Sequence, residues 1–325
     1  MDSFLNLAGQ NLLTPMILCF VLGLAAALAR SDLSVPEAAA KTMALYLLFA
    51  IGFKGGVAVR DHGLDYHLAT ALLGGIALSF ALPFVAFALL RVMSRLSVTD
   101  TAAVAAHYGS ISIVTFASAT AALSLMGIEA EGYMVAVSVA MESPAIISAL
   151  WLANRGGGTS RMDARLWREI LLNGSIVLLL GAFVIGYATG PAGLGRIDAF
   201  IVAPFQGVLC LFLLDMGLVA GRGLRNAPGL ISLPLLAFGV VMPVVGAAAG
   251  LATALLLGLS VGGTTLMMVL AASASYIAVP AAMRVALPDA NPSIALTLSL
   301  GVTFPFNLTL GIPIYLAVAQ RLITG

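Results

Sequence analysis

The chain has 325 residues, 61% of them hydrophobic and 9% charged, with a formal net charge of +1 and a mean hydropathy of +1.09. Soluble domains carry about 25% charged residues, and no water-soluble fold hides this much apolar surface, so the solvent of this protein is the hydrocarbon core of a bilayer. Near-neutral charge with dispersed basic residues also excludes a nucleic-acid surface and a polybasic lipid-binding arm.

Apolar length and polar breaks predict ten membrane helices, at 11–29, 35–59, 66–91, 99–127, 131–154, 167–190, 198–221, 229–257, 262–286 and 292–320. No Lys or Arg precedes the first helix within the first ten residues, so a cleaved signal peptide is not expected and the first span is expected to stay. Cys19 in the first helix and Cys210 in the seventh lie inside apolar runs and read as small buried hydrophobes rather than as a disulfide or a metal pair. The second helix ends in Lys54, Gly55 and Arg60, and the seventh carries Asp215, Gly217 and Arg222 in a similar arrangement. Lys54 and Asp215 are therefore either a charge pair or two separate interfacial residues.

The fourth helix is interrupted by Tyr108-Gly109-Ser110-Ile111-Ser112-Ile113-Val114-Thr115, and the fifth contains Glu142-Ser143-Pro144. The ninth is interrupted by Ser273-Ala274-Ser275-Tyr276-Ile277-Ala278-Val279-Pro280, and the tenth contains Phe304-Pro305. Ser112 to Pro144 spans the same length as Ser273 to Pro305, so the two patterns repeat at one offset. Between them, Arg155 to Arg168 is Gly-rich and basic and reads as a linker. This predicts residues 1–154 as a first five-helix repeat, 155–166 as a cytoplasmic linker and 167–325 as a second repeat. An odd number of spans per repeat inverts the second one. With the N-terminus outside, the cytoplasmic loops collect Arg30, Arg91, Arg95, Arg155, Arg161, Arg165, Arg168, Arg222 and Arg225, whereas Arg60, Arg196 and Arg321 fall outside. Both termini are accordingly expected outside.

Paired breaks carry chemistry because unwound backbone in lipid frees N–H and C=O groups, each costing several kcal/mol if it finds no partner. Half-helix N-termini then present positive partial charge to an anion, and carbonyls and hydroxyls can hold a small cation. The alternative is that these Ser and Thr residues bond to the preceding turn and the prolines only kink. Glu142 stands out within an uncharged segment from Gly132 to Asn154, where a carboxylate costs at least about 2.5 kcal/mol. His107, at the start of the first break, reads as a helix-end residue rather than a proton relay. No His-Glu-x-x-His or Gly-x-Ser-x-Gly motif supports an intramembrane enzyme, so no catalytic residue is expected.

Three stretches resemble the cyanobacterial sodium-dependent bicarbonate transporter family: Ile51 to Arg60 (IGFKGGVAVR), Glu142-Ser143-Pro144-Ala145, and Pro280-Ala281-Ala282-Met283-Arg284 followed by Pro288 to Ser293 (PDANPS). The resemblance covers nearly the whole chain apart from a shorter central loop. It implies an all-α membrane protein of about ten helices in two inverted repeats, with core and gate domains and interrupted fourth and ninth helices. It further implies a homotrimer of the bacterial inner membrane, moving bicarbonate with sodium by an elevator-like motion, and a cytoplasmic partner of the nitrogen-regulatory type. No cofactor beyond a sodium ion is implied.

By the same resemblance, Ser110, Ser112, Thr115, Ser275, Tyr276 and Pro280 would bind substrate, and Glu142, Thr115, Ser273 and Ser275 would bind the coupling ion. The family's Ser-Gly-Ser-Thr corresponds to Ser112, Ile113, Val114 and Thr115, and its Asp before Pro to Glu142. Its Asp-Ile-Ser-Gly-Pro corresponds to Tyr276, Ile277, Ala278, Val279 and Pro280, so a carboxylate, a hydroxyl and a glycine are replaced. Sodium is a hard cation that wants oxygen ligands. With the second carboxylate gone, Glu142 becomes a candidate proton carrier in place of one sodium, and the Tyr276 phenol a donor to an anion. A proton-coupled or sodium-independent carrier of another small anion, an anion channel and a non-transporting sensor of the same fold are the remaining alternatives.

Overall fold

The computed structural model describes residues 14–62, 66–155, 168, 172, 174–226 and 232–323. The expected linker at 155–166 lies, except for Arg155, outside these residues, as do both termini. Every regular element among the described residues is helical: α1 (Pro15–Leu28), α2 (Glu37–His62), α3 (Tyr66–Met93), α4a (Val98–Gly109), α4b (Ile113–Leu125), α5a (Met134–Ala140), α5b (Pro144–Arg155), α6 (Gly174–Ile201), α7 (Phe205–Asn226), α8 (Leu233–Leu257), α9a (Val261–Ala272), α9b (Ala278–Ala286) and α10 (Pro292–Ile323). Taking α4a with α4b and α5a with α5b, eight segments among the described residues are long and apolar enough to cross a bilayer, and α1 and α9a are shorter apolar helices. The molecule is an all-α membrane protein.

Local sequence sets the helix starts. Ser97, Ser112 and Ser260 accept the backbone N–H three residues on, at the heads of α4a, α4b and α9a, and Asn291 accepts from Ser293 N at the head of α10. Pro15, Pro144 and Pro292 occupy first-turn positions, where a missing N–H costs nothing.

Burial follows the membrane logic. In α4a every residue from Thr101 to Gly109 is buried, as is every residue from Gly262 to Ala272 in α9a. These two helices form the centre. They are wrapped by α3, α5, α8 and α10, whose outer faces expose Leu73, Val240, Val244 and Leu256. A helix buried all round tolerates no bulky polar face, which is why these two are rich in Ala, Gly and Thr.

The remaining helices pair in parallel, α1 with α7 and α2 with α6. In α2 a Cβ at Gly56 would lie 1.9 Å from Phe183 O and 2.7 Å from Tyr187 N. In α7 a Cβ at Gly217 would lie 2.1 Å from Phe20 O and 2.8 Å from Leu24 N. Reciprocally, a Cβ at Gly186 would meet Phe53 O at 2.1 Å, and one at Gly23 would meet Leu214 O at 2.0 Å. Only glycine allows such backbone-to-backbone approach. These contacts correct the sequence pairing of Gly55 with Gly217. The residue making the contact equivalent to Gly217 is Gly56, and Gly55 faces Val135 of α5a instead.

Three boundaries differ from expectation. The sixth helix does not end at 190: Gly190, at φ 62°, turns the chain, and Pro191 begins a second helical stretch to Ile201. Arg60 donates to the Tyr187 and Ala188 carbonyls exposed at this kink, so a residue read as a flanking charge is a cap. The seventh helix is displaced accordingly, to Phe205–Asn226. The fifth is interrupted at Met141–Ser143, because Pro144 cannot continue a helix. In the tenth, Pro305 is absorbed without a break by two π-helical stretches, Ser299–Thr303 and Asn307–Gly311.

Candidate functional site

The fourth helix is open at Ser110–Ser112 and the ninth at Ser273–Ile277, and the two openings bond to each other. Ser275 N donates to His107 O at 2.8 Å, and His107 Nδ1 lies 2.6 Å from Ser275 O. A carbonyl only accepts, so Nδ1 carries the proton. Ser112 N donates to Ser273 Oγ at 2.9 Å, and Ser273 Oγ donates to Leu270 O. Ser112 Oγ accepts from both Thr115 N and Thr115 Oγ1, which leaves its own hydrogen to give.

Neighbouring helices satisfy further groups of the broken backbone. Ser79 Oγ donates to Met141 O, at the interruption of the fifth helix, at 2.7 Å. Asn307 Nδ2 donates to Ala272 O at the end of α9a, and Tyr315 OH donates to Asn307 Oδ1. Thr303 Oγ1 gives its one hydrogen to Gly239 O, so Tyr108 OH is the donor in the 2.7 Å contact between the two hydroxyls. Irregular backbone at membrane depth survives because side chains close its hydrogen bonds.

Three buried polar atoms stand outside this network: Ser110 Oγ, Glu142 Oε2 and Tyr276 OH have no hydrogen-bond partner. Tyr276 OH stands near Ser112, close enough to interact electrostatically but outside hydrogen-bond geometry. Its ring meets Phe304 edge-on at 5.6 Å, and Phe304 meets Phe20 of α1 at 5.5 Å. Glu142 and Tyr276 line one narrow cavity of about 10 Å³ together with Ile111, Ser112, Ile113, Ser175, Ser275 and Ile277. That is room for about one water. A buried carboxylate oxygen without a donor is costly, so this arrangement calls for a cation, a proton or a donor group from a ligand.

The structure therefore brings Ser112, Ser275, Tyr276 and Glu142 together on one cavity and leaves the Ser110 hydroxyl free within the first break. Thr115 and Ser273 do not line it, and their hydroxyls serve the breaks themselves. Pro280 borders a separate cavity of about 120 Å³ with His107 and Arg284. Among the described residues Lys54 and Asp215 form no ion pair: the Lys54 ammonium sits 4.7 Å above the Phe205 ring, and the charge that reaches Asp215 is that of Arg222. They are separate although α2 also touches α7: Lys54 meets Phe205 at the start of α7, and Asp215 lies ten residues further along, about 15 Å away on the helix axis. Cys19 and Cys210 are free thiols.

Sequence reasoning missed Ser175, which enters the cavity from the first turn of α6 and carries no motif. It also missed Asn307, whose signal was present as an amide in an uncharged apolar run. No group of three or more His, Cys, Asp or Glu side chains is placed to hold a metal ion among the described residues. Any cation at the cavity would rest on Glu142, hydroxyls and carbonyls.

No curated protein sequence matches the chain. Residues 15–320, nearly its whole length, match the family model described as the Na+-dependent bicarbonate transporter superfamily. That is a family of transporters and not of enzymes. With two helix breaks bonded to each other at its centre and apolar helices around them, this membrane protein belongs to the Na+-dependent bicarbonate transporter superfamily.

Proposed function

We propose that the protein is a secondary active transporter of a small inorganic anion, bicarbonate first, carried with sodium across the bacterial inner membrane. The observation that carries this is the convergence of unpaired Glu142 Oε2 and Tyr276 OH on one cavity beside the two helix breaks. Tyr276 and the free hydrogen of Ser112 are donors suited to an oxyanion, and Glu142 Oε2 is a ligand suited to a sodium ion. The heads of α4b and α9b, at Ile113 and Ile277 of the cavity lining, add positive partial charge.

Alternating access is read as an elevator. α1, α2, α6 and α7 form the gate, held in two pairs by glycine-backbone contacts, and α3–α5 with α8–α10 form the core. Two inverted repeats, 1–154 and 167–325, account for the reciprocal contacts, since Gly56 and Gly217 stand 161 residues apart, as do Ser112 and Ser273. A cavity of about 10 Å³ is smaller than bicarbonate, so loading requires Ser175 of the gate to separate from Ile277 and Tyr276 of the core. The distribution of Arg supports a topology with both termini outside. A homotrimer and a cytoplasmic nitrogen-regulatory-type partner complete the reading.

Uptake of labelled bicarbonate into proteoliposomes under an inward sodium gradient, an inward proton gradient or neither is the test. Accumulation that requires sodium is expected. Accumulation on protons alone would favour the second reading, in which Glu142 carries a proton. That reading is supported by the single unpaired carboxylate in the cavity, where the family pattern has two. No accumulation under either gradient would overturn both.

A further inference from the structure

Lys54 has no role in the crossed breaks, yet it is half-buried in the bilayer-spanning part of α2 without an ion-pair partner among the described residues. It lines a cavity of about 560 Å³ between α2 and the core, walled by Gly55, Ala58, Phe116, Thr120 and Val135. Glu129 and Glu131 line the same cavity, nearer the C-terminal end of α2. Gly132 packs on Ala58 and Gly55 on Val135, so Lys54 lies about one helical turn deeper than the two glutamates. Both oxygens of Glu131 are already engaged, by Ser260 N and Ser260 Oγ. What remains at depth is an ammonium held over the Phe205 ring at 4.7 Å, a contact that orients the cation without neutralising it.

We infer that Lys54 is a second anion-binding site, on the gate, that takes a small singly charged oxyanion in this vestibule. The inference rests on the transport reading above for its anion. Its position follows from the parallel pairing of α2 and α6. Phe53 packs against Gly186, which is eleven residues beyond Ser175, so at 1.5 Å per residue Lys54 stands about 16 Å along the gate from Ser175. A core that slides along the gate by that distance brings the breaks to Lys54. The same anion is then met by Ser175 at one end of the stroke and by an ammonium at the other.

The test uses Thr120→Cys as a reporter on the vestibule wall, in full-length protein with Cys19 and Cys210 replaced by Ala, reconstituted in proteoliposomes. Labelling by a membrane-impermeant maleimide is timed in bicarbonate and in the bulkier gluconate. Bicarbonate is expected to slow labelling at least about threefold, as mass action at an occupied site requires. Lys54→Met should abolish the protection and Lys54→Arg should restore it, with labelling in gluconate unchanged in all three. Equal protection in Lys54→Met, or none in the parent, overturns the proposal. The same vesicles report gradient-driven uptake: accumulation without protection removes only the Lys54 site, whereas protection without accumulation removes the transport reading and leaves the site.

Discussion

The two broken regions start from one pattern and end differently. In the first, the fifth helix opens beside the break and leaves Glu142 with an unpaired oxygen. In the second, the position 161 residues on is Thr303, whose hydroxyl is used up between Tyr108 and Gly239, and the tenth helix stays continuous through π turns. One half has kept its polar side chain for a ligand, and the other has spent it on holding the helices together. Repeated architecture fixes where a site can be. Which half supplies the chemistry is decided by whether a neighbouring side chain has already closed the hydrogen bonds.

Where the halves are alike, matched substitutions should cost the same. Gly56→Ala and Gly217→Ala each drive a methyl into a carbonyl about 2 Å away, and each should destabilise the detergent-solubilised protein by at least ~3 kcal/mol. Gly207→Ala, which meets open space on α7, is the control and should leave the melting temperature within a degree or two. A large loss at one glycine only would break the equivalence.

Where the halves differ, the response should split. Glu142→Gln is expected to lower sodium-driven uptake about 100-fold, ~2.7 kcal/mol in barrier, while leaving the melting temperature nearly unchanged. Thr303→Val should do the reverse: it strands the buried Tyr108 hydroxyl and costs ~1–2 kcal/mol of stability, with uptake within about twofold of the parent. If Thr303→Val stopped transport and Glu142→Gln did not, the assignment of roles would be wrong way round.

The smallest effect concerns the two ends of the core. Asp100 Oδ1 accepts from Asn291 N, tying the head of α4a to that of α10, and Glu131 ties the head of α5a to that of α9a through Ser260. Asp100→Asn and Glu131→Gln should each cost ~0.5–1 kcal/mol in thermal unfolding, less at high salt.

Much of the fold was legible because lipid imposes length and hydropathy directly. The positions of both interruptions and of Glu142 could be read from polar residues in apolar runs. The sixth helix was cut short because Gly190-Pro191 looks like an end, and only Arg60, 130 residues earlier, shows why the chain continues past it. Thr115 and Ser273 resembled ligands, yet a hydroxyl's use depends on whether a neighbour is within reach, which spacing along one helix does not encode. For the same reason Lys54 and Asp215, similarly placed in their helices, could not be told from a pair until Lys54 was seen to meet α7 at Phe205, ten residues before Asp215.

The glycine-lined pairing of α1 with α7 and of α2 with α6 also governs biosynthesis. Each early helix must leave the ribosome and enter the membrane well before its partner is translated. During that interval the contact faces of Gly23, Gly52 and Gly56 rest against lipid or the insertion machinery, and five helices made alone have nothing to fill them. Neither half should mature by itself, but two halves translated as separate chains in one membrane should find each other through those grooves.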